Sequence, residues 1–320
     1  MAARSEGTIG QEGIILTNDD ASVCKLSAVR HGYWQDPFIS HLVRQYERKA
    51  PEIHRGYYAR VMAVQRLTEA FLARCGADAQ VLNLGAGFDT LYWRLKSAGC
   101  RFSNFVELDF SAVTARKLMA IQRQKGLMTA FKSDEGEVRV GRAALHAEDY
   151  HLAPVDLARL ADVRTALEEC CLRPDRPTIV LAECVLVYME SRACHELLSH
   201  LASTLRTAYL VNYEMVGVDD RFGQILVQNV RGRGCDLAGI EACNSDQTQM
   251  QRFTGAGWDD AKVWRMDVVL RRLPSADVRR MERLELLDEM DILLQLLEHY
   301  GITVAWRDPD GLGLGELDYT

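Results

Sequence analysis

Two hydrophobic periodicities alternate along the chain. Runs of four to six mostly apolar residues stop at a glycine, an acid or an aromatic, and between them lie stretches with apolar residues three and four positions apart. The first pattern belongs to strands buried on both faces, the second to helices with one buried face. The strand candidates are Gln80-Val-Leu-Asn-Leu84, then Asn104-Phe-Val-Glu-Leu108 running into Asp109. Pro177-Thr-Ile-Val-Leu-Ala182 follows, ending at Glu183, and then Tyr209-Leu-Val-Asn-Tyr213. Helices are expected over Thr90–Ala98, over Ser111–Arg123 with Ser111 as N-cap, and over Ala158–Cys170. This alternation predicts an α/β fold with a parallel, doubly wound, Rossmann-like sheet.

Ahead of the first strand, apolar positions at helical spacing run from Ser22 to Arg74 with a break at Pro51. A helical N-terminal region over 21–76 therefore precedes a core over 77–320. Residues 1–20 are polar and contain glycine, and are expected as a mobile tail. A polar stretch runs from Gln124 to Glu148. The region 216–273 leaves the strand–helix rhythm and reads as an insertion. One long helix is expected over Ala276–Tyr300 with its Leu, Ile and Met stripe in the core, and Ile302–Trp306 is placed to complete the sheet.

Composition narrows the function classes. With 38 Lys and Arg against 45 Asp and Glu, the net charge of −7 disfavours general nucleic-acid binding, which needs surplus cations on one face. The 9 cysteines contain no Cys-x-x-Cys pair, and neither they nor the 8 histidines show metal-ligand spacing, so no metal is expected. His195 and His200 are expected at the surface, and Arg231 and Arg233 as solvated loop charges. No targeting peptide and no apolar run of membrane-spanning length is visible, and a reduced, intracellular setting is expected, cytoplasmic with the nucleus also open.

In a doubly wound sheet, ligands lie beyond the carboxyl ends of the strands. The first strand ends in Gly85-Ala86-Gly87, where small residues allow a tight turn close to a ligand. The third glycine of the dinucleotide fingerprint is absent, which favours a nucleoside without a pyrophosphate, such as S-adenosylmethionine, over NAD. A plain strand-to-helix turn remains open for this loop alone. Asp109 lies 24 positions after Gly85, near the spacing of a ribose-binding acid, and a helix cap is the competing reading. Asp156 is placed for the adenine amino group with Leu157 over the ring; a solvated helix-start aspartate competes. Glu183, ending an apolar strand, faces the crevice and needs a cationic partner.

Several runs resemble the leucine carboxyl methyltransferases from about Cys24 onward. They are Gly32-Tyr-Trp-Gln-Asp-Pro-Phe38, Arg55-Gly-Tyr-Tyr-Ala-Arg60, Leu82-Asn-Leu-Gly-Ala-Gly-Phe-Asp-Thr90, Ala182-Glu-Cys-Val-Leu-Val-Tyr188, Asn212-Tyr-Glu214 and Asp220-Arg-Phe-Gly-Gln224. The stretch 124–142 and the N-terminal tail depart from that pattern. The resemblance implies a class I S-adenosylmethionine-dependent methyltransferase fold with a helical N-terminal lid and a substrate-side insertion. It places Lys25 and Arg60 near the methionine carboxylate, and Gly85, Asp109, Asp156, Leu157 and Glu183 around the rest of the cofactor. The implied reaction is methyl esterification of the C-terminal leucine of the protein phosphatase 2A catalytic subunit, engaged through its tail and active-site face, by a monomer. Arg60 is expected to position charge at the reacting end, with Tyr188 and Tyr213 as pocket walls. A carboxylate acceptor is already ionised, so no general base is needed. A small-molecule or tRNA methyltransferase of the same fold, a non-catalytic binding module and a dehydrogenase are the alternatives. The tRNA-modifying relatives carry a further repeat domain, and a chain ending at Thr320 is expected to differ from them.

Overall fold

The computed structural model describes residues 6–131 and 137–320. Helix α1 (Glu6–Arg30), the single turn α2 (Ile39–Leu42) and α3 (Pro51–Cys75) precede the first strand, β1 (Gln80–Leu84). Then come α4 (Leu91–Ser97), β2 (Asn104–Asp109), α5 (Ser111–Arg123) and the short α6 (Lys125–Met128). Two-residue strands β3 (Arg139–Val140) and β4 (Leu145–His146) lead into β5 (Tyr150–Pro154), α7 (Leu160–Glu169) and β6 (Thr178–Glu183). After α8 (Ser191–Thr204) and β7 (Ala208–Met215) follow α9 (Arg221–Gly232), α10 (Asp246–Thr254) and β8 (Asp260–Arg265). The chain closes with α11 (Met266–Arg271), α12 (Ser275–Leu284), α13 (Met290–Glu298) and β9 (Tyr300–Arg307).

The nine strands form one sheet in the order β3-β4-β5-β2-β1-β6-β7-β9-β8. The five central strands, β5, β2, β1, β6 and β7, are parallel, while β9 runs antiparallel between β7 and β8. This is the class I methyltransferase architecture. The apolar runs are explained by burial: every residue of β1, β2 and β7 is buried, because helices cover both faces. One face packs against α3, α4 and α5, the other against α7, α8 and α10. The chain leaves β1 toward β2 and β5, then returns to β6 on the other side, which opens a crevice at the strand ends beside β1. Among the described residues no helix is long and apolar enough to cross a membrane.

Five expectations are corrected. Residues 6–20 are not a mobile tail: they are the first half of α1, while residues 1–5 lie outside the described part. A Cβ on Gly13 would sit 2.1 Å from the Gly234 carbonyl oxygen, so the glycine permits close packing of α1 on the 234–235 loop. The final helix is two helices. Between them Glu285 takes an extended backbone and turns into the interior, where its carboxylate accepts from His54 at 2.5 Å and from Tyr33 and Arg48 at 3.2 Å each. That buried ionic cluster outweighs helical periodicity. The expected core stripe is also split: Met281, Leu293 and Leu297 are buried, whereas Leu286 is 79% exposed and Ile292 51% exposed. The insertion is shorter than expected, since Asp260–Arg265 is the edge strand β8, half-exposed and therefore lacking an apolar run. Ser111 is the first residue of α5 rather than its cap; Phe110 holds that position without a side-chain bond.

Candidate functional site

A cavity of about 860 Å³ occupies the crevice. Its floor is the carboxyl ends of β1, β2, β5 and β6, and its roof is α1 with the first three turns of α3. The site residues expected from the sequence all line it: Lys25, Arg60, Gly85, Asp109, Asp156, Leu157, Glu183, Tyr188 and Tyr213.

The floor is built locally. Gly85 takes φ +60°, and a Cβ on it would lie 2.6 Å from a Val185 methyl, so both the turn and the packing require glycine. Asp109, 9% exposed, accepts the Gly87 and Phe110 amides at 2.7 Å each. Burial pushes its carboxyl up, and those two amides only partly offset the effect. Fixed by two backbone donors, the carboxylate keeps lone pairs for hydroxyl donors in the cavity. Asp156 accepts the Ala158 amide at 3.0 Å, beside buried Leu157. Cys184, next to Glu183, holds a left-handed φ of +56°, a strained turn that redirects the chain at the end of β6.

The roof carries the cations. Arg60 Nε donates to Glu183 at 2.6 Å, and Lys25 Nζ stands 3.8 Å from Glu183 and 4.0 Å from Asp89. Burial pushes the Glu183 carboxyl up, but Lys25 and Arg60 outweigh it, and its pKa falls below the ordinary value. The Arg60 guanidinium lies 4.4 Å over the Tyr213 ring, which itself stacks on Tyr300 at 5.6 Å. Among the described residues only its Nε is bonded, and its terminal nitrogens are not sealed in, so they remain available to an anion.

Sequence reasoning missed four participants. Asn18 in α1 accepts the Phe88 amide at 2.8 Å and so latches the roof onto the glycine loop. Asp89 accepts the Thr90 amide at 2.7 Å and Asn83 Nδ2 at 3.2 Å, and approaches Arg94 at 3.5 Å. Burial pushes its carboxyl up; Lys25, Arg94 and Lys117 more than reverse this, leaving it below the ordinary range. Tyr57 and Tyr300 complete the aromatic wall. Asp89 lay inside the quoted Gly-Phe-Asp-Thr run and was recoverable; Asn18 was hidden by the expectation of a tail. Arg233 proves to be exposed yet lines the cavity, opposite Asp20 at 3.8 Å. His195 is exposed and His200 half-buried on α8, away from the cavity.

The residues present fit S-adenosylmethionine. The unbonded guanidinium nitrogens of Arg60 and the ammonium of Lys25 suit the methionine carboxylate, and Glu183 suits the α-amino group. Asp109 suits the ribose, Asp156 and Leu157 the adenine, and the glycine turn leaves space where any side chain would intrude.

The family model for leucine carboxyl methyltransferases matches residues 14–202. The chain is 43% identical over 311 residues to leucine carboxyl methyltransferase 1 of Bos taurus, covering 96% of this chain and 94% of that one. It is 34% identical to the leucine carboxyl methyltransferase 1 homolog of Arabidopsis thaliana, covering 99% and 95%. It is also 37% identical to tRNA wybutosine-synthesizing protein 4 of Homo sapiens, covering 91% of this chain but 43% of that longer protein.

Proposed function

The chain belongs to the leucine carboxyl methyltransferase family, and we propose that it methylates the C-terminal leucine α-carboxylate of the protein phosphatase 2A catalytic subunit. Its class is protein carboxyl O-methyltransferase, with S-adenosylmethionine as methyl donor. The observation that carries the reading is the Arg60–Glu183–Lys25 set closed by α1 over the glycine loop. The bound cofactor supplies a methyl group on a positively charged sulfur, and no proton need move when a carboxylate accepts it. The chain's own residues have three tasks. Asp109 and Asp156 fix the nucleoside end, Arg60 and Lys25 orient negative charge, and α1 with Tyr213 and Tyr300 excludes water. The cavity extends past the cofactor-sized floor toward α9, Arg233 and Leu296, which leaves room for an extended chain terminus. Arg233 offers that terminus a cation at the rim. We assign the enzyme to the cytoplasm as a monomer engaging the phosphatase tail and active-site face.

The test is transfer of labelled methyl from S-adenosylmethionine to intact phosphatase 2A catalytic subunit. Label should appear as a base-labile ester and be absent when the last leucine is removed. Equal labelling of the truncated protein, or label appearing only on tRNA, would sink the proposal.

A further inference from the structure

The far edge of the sheet holds a group of side chains that the cavity does not use. His146 in β4 and His151 in β5 are direct antiparallel partners, so their side chains leave the same face as neighbours. Their Nδ1 atoms stand 3.0 Å apart. That face is covered by α7, and the residue capping its C-terminus is the buried Cys170. Two ring nitrogens and one sulfur thereby come within 4.8 Å of one another. Positions 146, 151 and 170 form no recognisable metal motif in chain order, which is why no metal set was expected. The hairpin and the helix end assemble one only in the fold.

The surroundings treat this group as a built site. His151 is 4% exposed, and its one hydrogen bond among the described residues is to His146. Two neutral imidazoles facing through Nδ1 can share a single proton, which is a thin return for burying the His151 ring and half-burying that of His146. The Cys170 thiol has no hydrogen bond among the described residues, yet its backbone is held by Asn104 Nδ2, which donates to the Cys170 carbonyl at 2.9 Å. All three ligand atoms therefore sit on regular, anchored backbone rather than on mobile loop. Imidazole with thiolate is the donor set of borderline divalent metals. A tetrahedral ion bound at about 2.0 Å to each nitrogen needs the two nitrogens roughly 3.3 Å apart, a small opening from the present contact. His146 is half-buried, giving an entry path and leaving the fourth position to water. Of the nearby charges, Arg139 pairs with His146 across β3–β4 and opposes a cation, while Glu169, adjacent to Cys170, favours one.

We propose that His146, His151 and Cys170 bind Zn²⁺ at a three-ligand site separate from the methyl-transfer cavity. On binding, the Cys170 S–H bond breaks, its proton passes to solvent, and the sulfur bonds the metal; the imidazoles bind neutral through the nitrogens now facing each other. The ion would staple the β4–β5 edge to α7, and β5 runs directly into Asp156 and Leu157.

The experiment uses chelator-treated full-length protein without a histidine tag, titrated with Co²⁺ and then competed with Zn²⁺. One equivalent of Co²⁺ should give a thiolate-to-cobalt absorption with tetrahedral visible bands, and Zn²⁺ should erase both and raise the melting temperature. The absorption should be lost in Cys170→Ala and in His146→Asn and kept in Cys171→Ala, whose thiol is exposed. If Cys170→Ala fails to fold, the half-buried His146→Asn decides alone. No thiolate absorption in the parent protein, persistence in His146→Asn, or loss in Cys171→Ala overturns the site.

Discussion

The floor and the roof of the cavity hold their charges by different means. On the floor, Asp109 and Asp156 accept amides one, two or twenty-two residues away, all within the loops that end their own or the neighbouring strand. On the roof, Arg60 reaches across 123 residues to Glu183, and Asn18 across 70 to Phe88. Floor geometry follows from strand ends that the sheet register sets; roof geometry exists only when α1 and α3 dock. The floor should therefore be a preformed half-site for the nucleoside, and the roof the part whose loss separates binding from turnover.

Arg60→Ala breaks this division most severely. It strips Glu183 of its bonded cation, which for a largely buried pair costs about 3 kcal/mol of stability, and removes the charge proposed to orient the reacting end. Turnover should fall roughly 100-fold or more in the labelled-methyl assay; near-normal turnover would show that Arg60 only braces the lid. Next is Gly85→Ala, where the left-handed turn and the Val185 contact both resist a Cβ. Cofactor binding by calorimetry should drop at least tenfold, and adding Val185→Ala should restore packing but not the strained turn, giving partial rescue.

Asp109→Asn sharpens the floor side of the comparison. Burial raises the Asp109 carboxyl, so its ionisation opposes folding at neutral pH; Asn removes that cost but also one of the two amide acceptors, and with the two opposed the variant should melt close to the parent. Affinity should nevertheless fall roughly 10- to 100-fold, the loss expected when hydrogen bonds to a charged acceptor are weakened. A matching loss of stability would mean that Asp109 is chiefly a structural cap. Asn18→Ala tests the latch: one hydrogen bond, about 1 kcal/mol, should appear as a roughly fivefold rise in KM for the cofactor with kcat little changed. The smallest effect is on the pH profile of stability. Because the Glu183 pKa lies below its ordinary value of 4.5, its contribution is present above that pH and is lost on acidification through the lower folded value. Melting curves of Glu183→Gln should therefore fall less steeply below about pH 4.5 than those of the parent.

Much of this was legible in the residues. Strands β1, β2, β6 and β7 lie within one or two residues of their expected positions, because fully buried parallel strands leave unbroken apolar runs. Their terminal acids could be located for the same reason. Less legible were β8 and the two-residue strands at the opposite edge, whose half-exposed faces carry no such run. The Glu285 break was also invisible, since its partners His54 and Tyr33 lie 231 and 252 residues away.

By itself, then, the sequence determined four of the sheet's five central strands, missing β5, together with the glycine turn, the acids at the strand ends and, through its motifs, the family. These depend on local burial pattern and backbone geometry, which neighbouring residues dictate. Only the tertiary structure decided that residues 6–20 are helical rather than a tail and that the stretch from Gly13 roofs the cavity, that Asn18 and Asp89 belong to the site, and that two histidines and a cysteine meet at the sheet edge. Each of those outcomes rests on contacts between segments distant in the chain or on packing against another element, energies that no local window of residues contains.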